Sequence, residues 1–169
     1  MTSGEIAHLQ TRSGFRLSVR TASTEDETKL AKFFKQVGPE DLRFCFLSTV
    51  RNVSHDRLVA MVDPDSRTDS VIAENEEGEI VAAAMLAGDQ AGDRGEVAVS
   101  IRGDHKGRGI GWTLLDYLVA AARAWGYASI ESIEDRQNRA AIALEQEMGF
   151  VAQPVDGEPT LILVRKSLS

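Results

Sequence analysis

Apolar positions in this chain change period several times, and each change marks an element. Residues 1–14 are polar and show no period, which predicts a loose N-terminal arm. Over 15–20 hydrophobic and polar residues alternate, the signature of a half-buried strand. Thr24 and Glu27 have capping-box spacing, and the helix they open carries Leu30, Phe33, Phe34 and Val37 on one stripe until Gly38-Pro39 stops it. Residues 41–47 are short, aromatic and ambiguous. Ser54 is placed to cap a second helix bearing Leu58, Val59, Met61 and Val62, ending near Asp63-Pro64. Residues 70–74 and 80–87 read as strands joined by the turn Asn75-Glu76-Glu77-Gly78. A Gly/Asp-rich stretch leads into a strand over 95–101, with Val97, Val99 and Ile101 on one face and Glu96, Ala98 and Ser100 on the other.

A helix then runs to about Trp125, with Ile110, Leu114, Leu115, Leu118, Ala122 and Trp125 as its apolar stripe and Gly126 closing it. A strand over 128–134 and a helix over 138–148 follow, the helix ending at Gly149 with Phe150 behind the cap. Two last strands, near 150–152 and 160–166, flank Asp156-Gly157-Glu158-Pro159. Strands in series, then strand and helix in alternation, predict a three-layer α/β domain around one mixed sheet. No repeat or low-complexity tract divides 15–169, which reads as a single domain.

With 169 residues the chain can bury roughly 70% of its unfolded surface, so its core requires neither a disulfide nor a structural metal. The single cysteine, Cys45, excludes an internal disulfide framework. Between Phe44 and Phe46 it reads as a small packing residue or part of a site wall rather than a catalytic thiol. No apolar leader or membrane-length run is visible, which predicts a cytoplasmic protein. The net charge of −7 disfavours nucleic acid and anionic membranes and suits a cationic amine, or serves solubility alone.

Candidate chemistry centres on Lys106-Gly107-Arg108-Gly109-Ile110-Gly111-Trp112, where the strand over 95–101 turns into a helix. Three glycines at alternate positions let backbone approach a ligand, and the helix start supplies free N–H groups and a positive dipole end. That combination is an anion cradle. A nucleotide P-loop would need Gly-Lys-Ser/Thr at the end of its loop, and a dinucleotide fingerprint needs G-x-G-x-x-G in the first βαβ unit. Neither spacing is present.

The segment resembles the acyl-CoA loop Q/R-x-x-G-x-G/A of the GNAT superfamily of N-acetyltransferases, with Lys106 in the place of Arg or Gln. Downstream, Asn138-Arg139-Ala140-Ala141-Ile142-Ala143-Leu144 with Met148-Gly149-Phe150 is similar to the family's N-x-x-A-x-x-L…G-F helix. The resemblance covers about residues 16–166. The stretches 38–46, 96–99 and 102–107 resemble bacterial protein-lysine acetyltransferases in particular. Those often carry a fused acyl-CoA-synthetase-like or nucleotide-sensing domain, for which this chain is expected to be too short.

The resemblance implies the GNAT fold: a central mixed, mostly antiparallel sheet of six or seven strands flanked by about four helices. It implies acetyl-CoA as cosubstrate, no metal, and direct transfer to an amine. The acceptor is expected to be a protein lysine. A small amine, or a sensor module that binds acyl-CoA without turnover, is the alternative. The expected partners include neither nucleic acid nor membrane, and the expected state is a monomer or homodimer. Gly107, Gly109, Ile110 and Gly111 would offer backbone amides to the pyrophosphate, while Lys106 and Arg108 add charge. The backbone of Val99, Ser100 and Ile101 would pair with pantetheine. Trp112 would pack or cover the cofactor rim.

Asn138 would contact pantetheine or simply cap its helix. Glu96 would take the proton of the amine, with Glu131 and Glu134 as weaker candidates. Arg43, Phe44 and Phe46 would border the acceptor site or serve the core. Many family members place a tyrosine after the leucine of the second motif, to protonate the leaving thiolate. Here that position is Glu145, which leaves the proton source open. Tyr117 and Tyr127 read as packing or surface residues. His8, His55 and His105 have no metal spacing, and His105 is expected to be a solvated loop residue.

Overall fold

The computed structural model describes residues 6–37, 68–88 and 93–168. The expectations for Gly38-Pro39, for 41–47 with Arg43, Phe44, Cys45 and Phe46, for the helix from Ser54, and for His55 lie outside the described residues.

Eight strands form one sheet: β1 (Ile6–Gln10), β2 (Arg16–Thr21), β3 (Thr68–Glu74), β4 (Ile80–Gly88), β5 (Arg94–Ile101), β6 (Ser129–Asp135), β7 (Val151–Val155) and β8 (Glu158–Ser167). Their spatial order is β1-β2-β3-β4-β5-β6-β8-β7. Every neighbouring pair is antiparallel except β5 and β6. The described helices are α1 (Glu27–Lys35), α2 (Ile110–Ala124) and α3 (Arg139–Glu147), with single 3-10 turns at Thr24–Asp26 and Gly103–His105.

The period-2 pattern of β3 builds the layers. Val71 and Ala73 face the core under α2, where Leu114, Leu118 and Ala122 are fully buried with Leu17, Val19, Val81, Val97, Ile130 and Val164. Ile72 points to the opposite face, where α1 lays Leu30, Phe33 and Phe34 against Ile80 and Ala83. Burying side chains of this size contributes about 1.5–3 kcal/mol each, so both faces of the sheet hold a helix. The turn between β3 and β4 forms as expected: Asn75 Oδ1 accepts from the amides of Glu77 (3.0 Å) and Glu79 (2.9 Å).

Three expectations change. The N-terminal arm is not loose throughout, because 6–10 pairs with β2 from Ile6↔Arg20 to Gln10↔Arg16. This edge strand half-buries only Ala7 and Leu9 and leaves Ile6 exposed, so it carries almost no hydrophobic signal. It brings the sheet to eight strands instead of six or seven. The capping box lies one residue earlier than Thr24 and Glu27. Asp26 accepts from the Ser23 amide (2.8 Å) and Ser23 Oγ (3.2 Å). It is fixed there by the Arg20 guanidinium at 2.7 and 2.8 Å.

Candidate active site

The parallel strands β5 and β6 pair at only three positions, Arg94↔Ser129, Gly95↔Ile130 and Glu96↔Glu131. Beyond Glu96, β5 stays with β4 as far as Ala82↔Ile101, while β6 stays with β8. The sheet therefore forks. A cleft of about 370 Å³ fills the fork, walled by residues 96–101 of β5, by Ser132, Ile133 and Glu134 of β6, and by Asn138, Ala140, Ala141, Leu144 and Glu145 around α3. Beside the closed end, the Tyr127 ring lies so near Gly95 that a Cβ there would come within 3.1 Å of it and 2.7 Å of Leu86 Cδ1. Tyr127 is buried, edge-on to Trp125, as a packing residue.

At the other end, Lys106, Gly107, Gly109, Ile110 and Gly111 line the cleft. Gly107 and Gly109 have φ of +78° and +83°, which side chains rarely adopt. Gly109 is the N-cap of α2, whose first turn has no acidic residue and no side-chain cap. First-turn amides have no acceptor within their own helix, so this end of the cleft carries concentrated positive potential. Gly111 serves a different need: a Cβ would stand 3.3 Å from Ile101 Cδ1, and its absence lets α2 start against β5.

Arg108 and Trp112 do not line the cleft. The Arg108 carbonyl accepts from Ser13 Oγ at 2.6 Å, and its guanidinium lies 5.5 Å from the centre of the Phe15 ring. Trp112 sits under the Arg12 guanidinium at 4.4 Å. The expected loop histidine, His105, is buried, contrary to the solvated position read from the sequence. The 3-10 turn tucks it edge-on to Phe15, with Nδ1 2.7 Å from Asp104 Oδ1.

Glu96, the last residue of β5 to pair with β6, is solvent-exposed and lines the cleft where the fork begins. Partial burial, then the charge of Glu131 beside it, pushes its carboxyl above the usual range. Glu131 is outside the cleft lining and is held by Arg165 at 2.8 and 3.0 Å. Val99, Ser100 and Ile101 all face the cleft, Ser100 from a buried position. Asn138 caps α3, accepting from the Ala141 amide at 3.4 Å, and still lines the cleft.

Glu145, which the sequence marks only as the place of a missing tyrosine, is a functional candidate. It is 4% exposed, lines the cleft, and its Oε1 has no hydrogen-bond partner among the described residues. Burial first, and then the neighbouring Glu134, pushes its carboxyl up to about 9. Glu134 is also raised by burial, against the opposing effect of Ser132 Oγ, which donates to it at 2.8 Å. The signal was present: Ala141, Glu145 and Met148 fall at i, i+4 and i+7, so the carboxylate lies on the inward stripe.

The family model of the Acetyltransferase (GNAT) family matches residues 24–150. The chain belongs to that family. It is therefore a GNAT N-acetyltransferase, and its fork and glycine turn lie on the α/β fold expected for one. A curated relative, Acetyltransferase PA5475 of Pseudomonas aeruginosa, is 27% identical over 159 residues, covering 92% of this chain and 86% of the relative. Among solved structures, the GNAT domain of S. lividans PAT superposes with a TM-score of 0.88 at 22% identity, over 96% of each chain. The spermidine N-acetyltransferase from Vibrio cholerae, in complex with CoA and spermine, gives 0.70 at 17% identity, over 88% of this chain and 92% of that one. Among the described residues, no helix of this GNAT protein is long and apolar enough to cross a membrane.

Proposed function

We propose that this GNAT enzyme transfers the acetyl group of acetyl-CoA directly to the side-chain amine of a protein lysine, in the cytoplasm. The observation that carries the reading is the forked sheet, with an anion cradle at one end of the cleft and Glu96 where the fork begins. The cleft fits the donor. Left-handed Gly107 and Gly109 turn backbone toward a diphosphate, and a Cβ at Gly107 would meet no protein atom within 4 Å. Lys106 adds charge at the same end. The β5 edge over 99–101 lies where a pantetheine chain can run beside a strand.

Glu96 is the general base. A lysine amine has a pKa of about 10.4, so presenting it neutral at pH 7 costs about 4–5 kcal/mol. A carboxylate positioned to take the proton typically contributes about 10²–10⁴-fold. Its solvent-accessible place suits a long side chain arriving from a protein surface. The resemblance to bacterial protein-lysine acetyltransferases and the acidic net charge support the same acceptor.

Labelled acetyl-CoA incubated with enzyme and a cell lysate tests the acceptor. Label on protein lysines is expected, and label confined to small amines would reassign it. Glu96→Gln should lower kcat about 10²-fold or more while CoA affinity stays within about threefold. Unchanged kcat would remove Glu96 from the mechanism.

A further inference from the structure

The cleft holds two carboxyl centres in unlike settings. Glu96 is solvent-accessible where the fork begins, while Glu145 is buried on α3 with one oxygen unpartnered. We propose that the Glu145 carboxyl is the acid that returns a proton to the CoA sulfur as the thioester breaks. This assignment rests on the acetyl-transfer reading above.

An unpartnered oxygen on a buried carboxyl is costly unless the group is neutral. Glu134 enforces that neutrality, because two carboxyls facing one cavity do not both ionise readily. Glu134 has a donor on each oxygen: Ser132 Oγ donates to Oε1 at 2.8 Å and Asn138 Nδ2 to Oε2 at 3.4 Å. Glu145 Oε1 has no such donor, and the Glu145 carboxyl, hydrogen-bonded to Glu134, keeps the proton. Two acids in one site with separated protonation are the arrangement that divides base and acid roles.

The step balances. The amine nitrogen bonds to the thioester carbonyl carbon and its proton passes to Glu96. The C–S bond then breaks with its electron pair on sulfur, and sulfur takes the Glu145 proton. One amide and one thiol leave. Glu96 gives up its proton to solvent and Glu145 regains one, restoring the starting state. Glu134 touches no reacting atom and is a positioning residue.

The test uses the full chain with acetyl-CoA and a saturating amine, over pH 6–10. The wild type should lose kcat as pH rises toward 9, where Glu145 ionises. Glu145→Gln should lower kcat about 10²-fold, abolish that alkaline limb and leave CoA affinity within about threefold. Glu134→Gln should shift the limb to lower pH, an effect that mere packing would not produce. Carboxyl 13C NMR of the free wild-type protein should show one glutamate titrating near 9, absent in Glu145→Gln. A wild type with no glutamate titrating above neutral pH would overturn the assignment. So would a Glu145→Gln enzyme with full kcat and an intact limb. If the wild type neither binds CoA nor transfers acetyl, the acetyl-transfer reading fails first. If it does both and Glu145→Gln matches it, only the role of Glu145 falls.

Discussion

Asp26 and Glu145 are almost equally buried, at 3% and 4% exposed, yet the protein treats them in opposite ways. Asp26 meets the Arg20 fork at 2.7 and 2.8 Å and the Ser23 amide at 2.8 Å. Arg20 foremost, then these hydrogen bonds, overcomes the burial and holds its carboxyl below the usual range. Glu74 completes the cluster through Arg20 Nε at 2.9 Å and Lys29 Nζ at 3.1 Å. Glu145 instead has another carboxylate as its charged neighbour, and burial wins. Burial raises both carboxyls, and only the one that meets a cation is brought back down. The matched acid ties β2 to the start of α1. The unmatched acid lines the cleft, where a held proton is useful and stability is given up.

The largest expected effect tests the matched side. Asp26→Ala should cost about 3 kcal/mol in urea unfolding, the low end for breaking a buried pair, because Arg20 keeps some solvent contact. That contribution should be lost in the wild type as pH falls through the depressed Asp26 value, below the ordinary range near 4. A smaller effect of opposite sense tests the unmatched side. Glu145 has a raised folded-state value, so the stability linked to its proton is full below about 4.5 and is lost as pH rises toward about 9. Glu145→Gln should therefore be about 1–3 kcal/mol more stable than the wild type at pH 9, the scale of a buried unsatisfied polar group. The two should converge near pH 5. Equal stability at both pH values would break the comparison. The smallest effect is at the rim: Lys29→Ala should change stability by less than about 1 kcal/mol, because the Lys29–Glu74 pair is half exposed on the lysine side.

How much was legible in advance follows the range of the interactions. The α2 stripe was readable because Leu114, Leu118 and Ala122 repeat at helical spacing, and all three are fully buried. The Asn75 turn and the glycine cradle are likewise local. The fork was not visible in the spacing, since it depends on where β6 stops pairing with β5. Arg108 stands outside the cleft lining. It lies between two left-handed glycines, and its guanidinium stands over Phe15, a contact from a distant part of the chain. Trp112, two positions beyond the cleft-lining Ile110, is rotated about 200° around the helix and meets Arg12. His105 looked exposed because its cover, Phe15, comes from a distant strand end.

The most direct measurement is a crystal structure of the protein with CoA bound. The diphosphate should rest on the backbone of Gly107 to Gly111, with the chain along β5 and the sulfur between Glu96 and Glu145. A diphosphate bound elsewhere, or a sulfur remote from both carboxyls, would contradict the account.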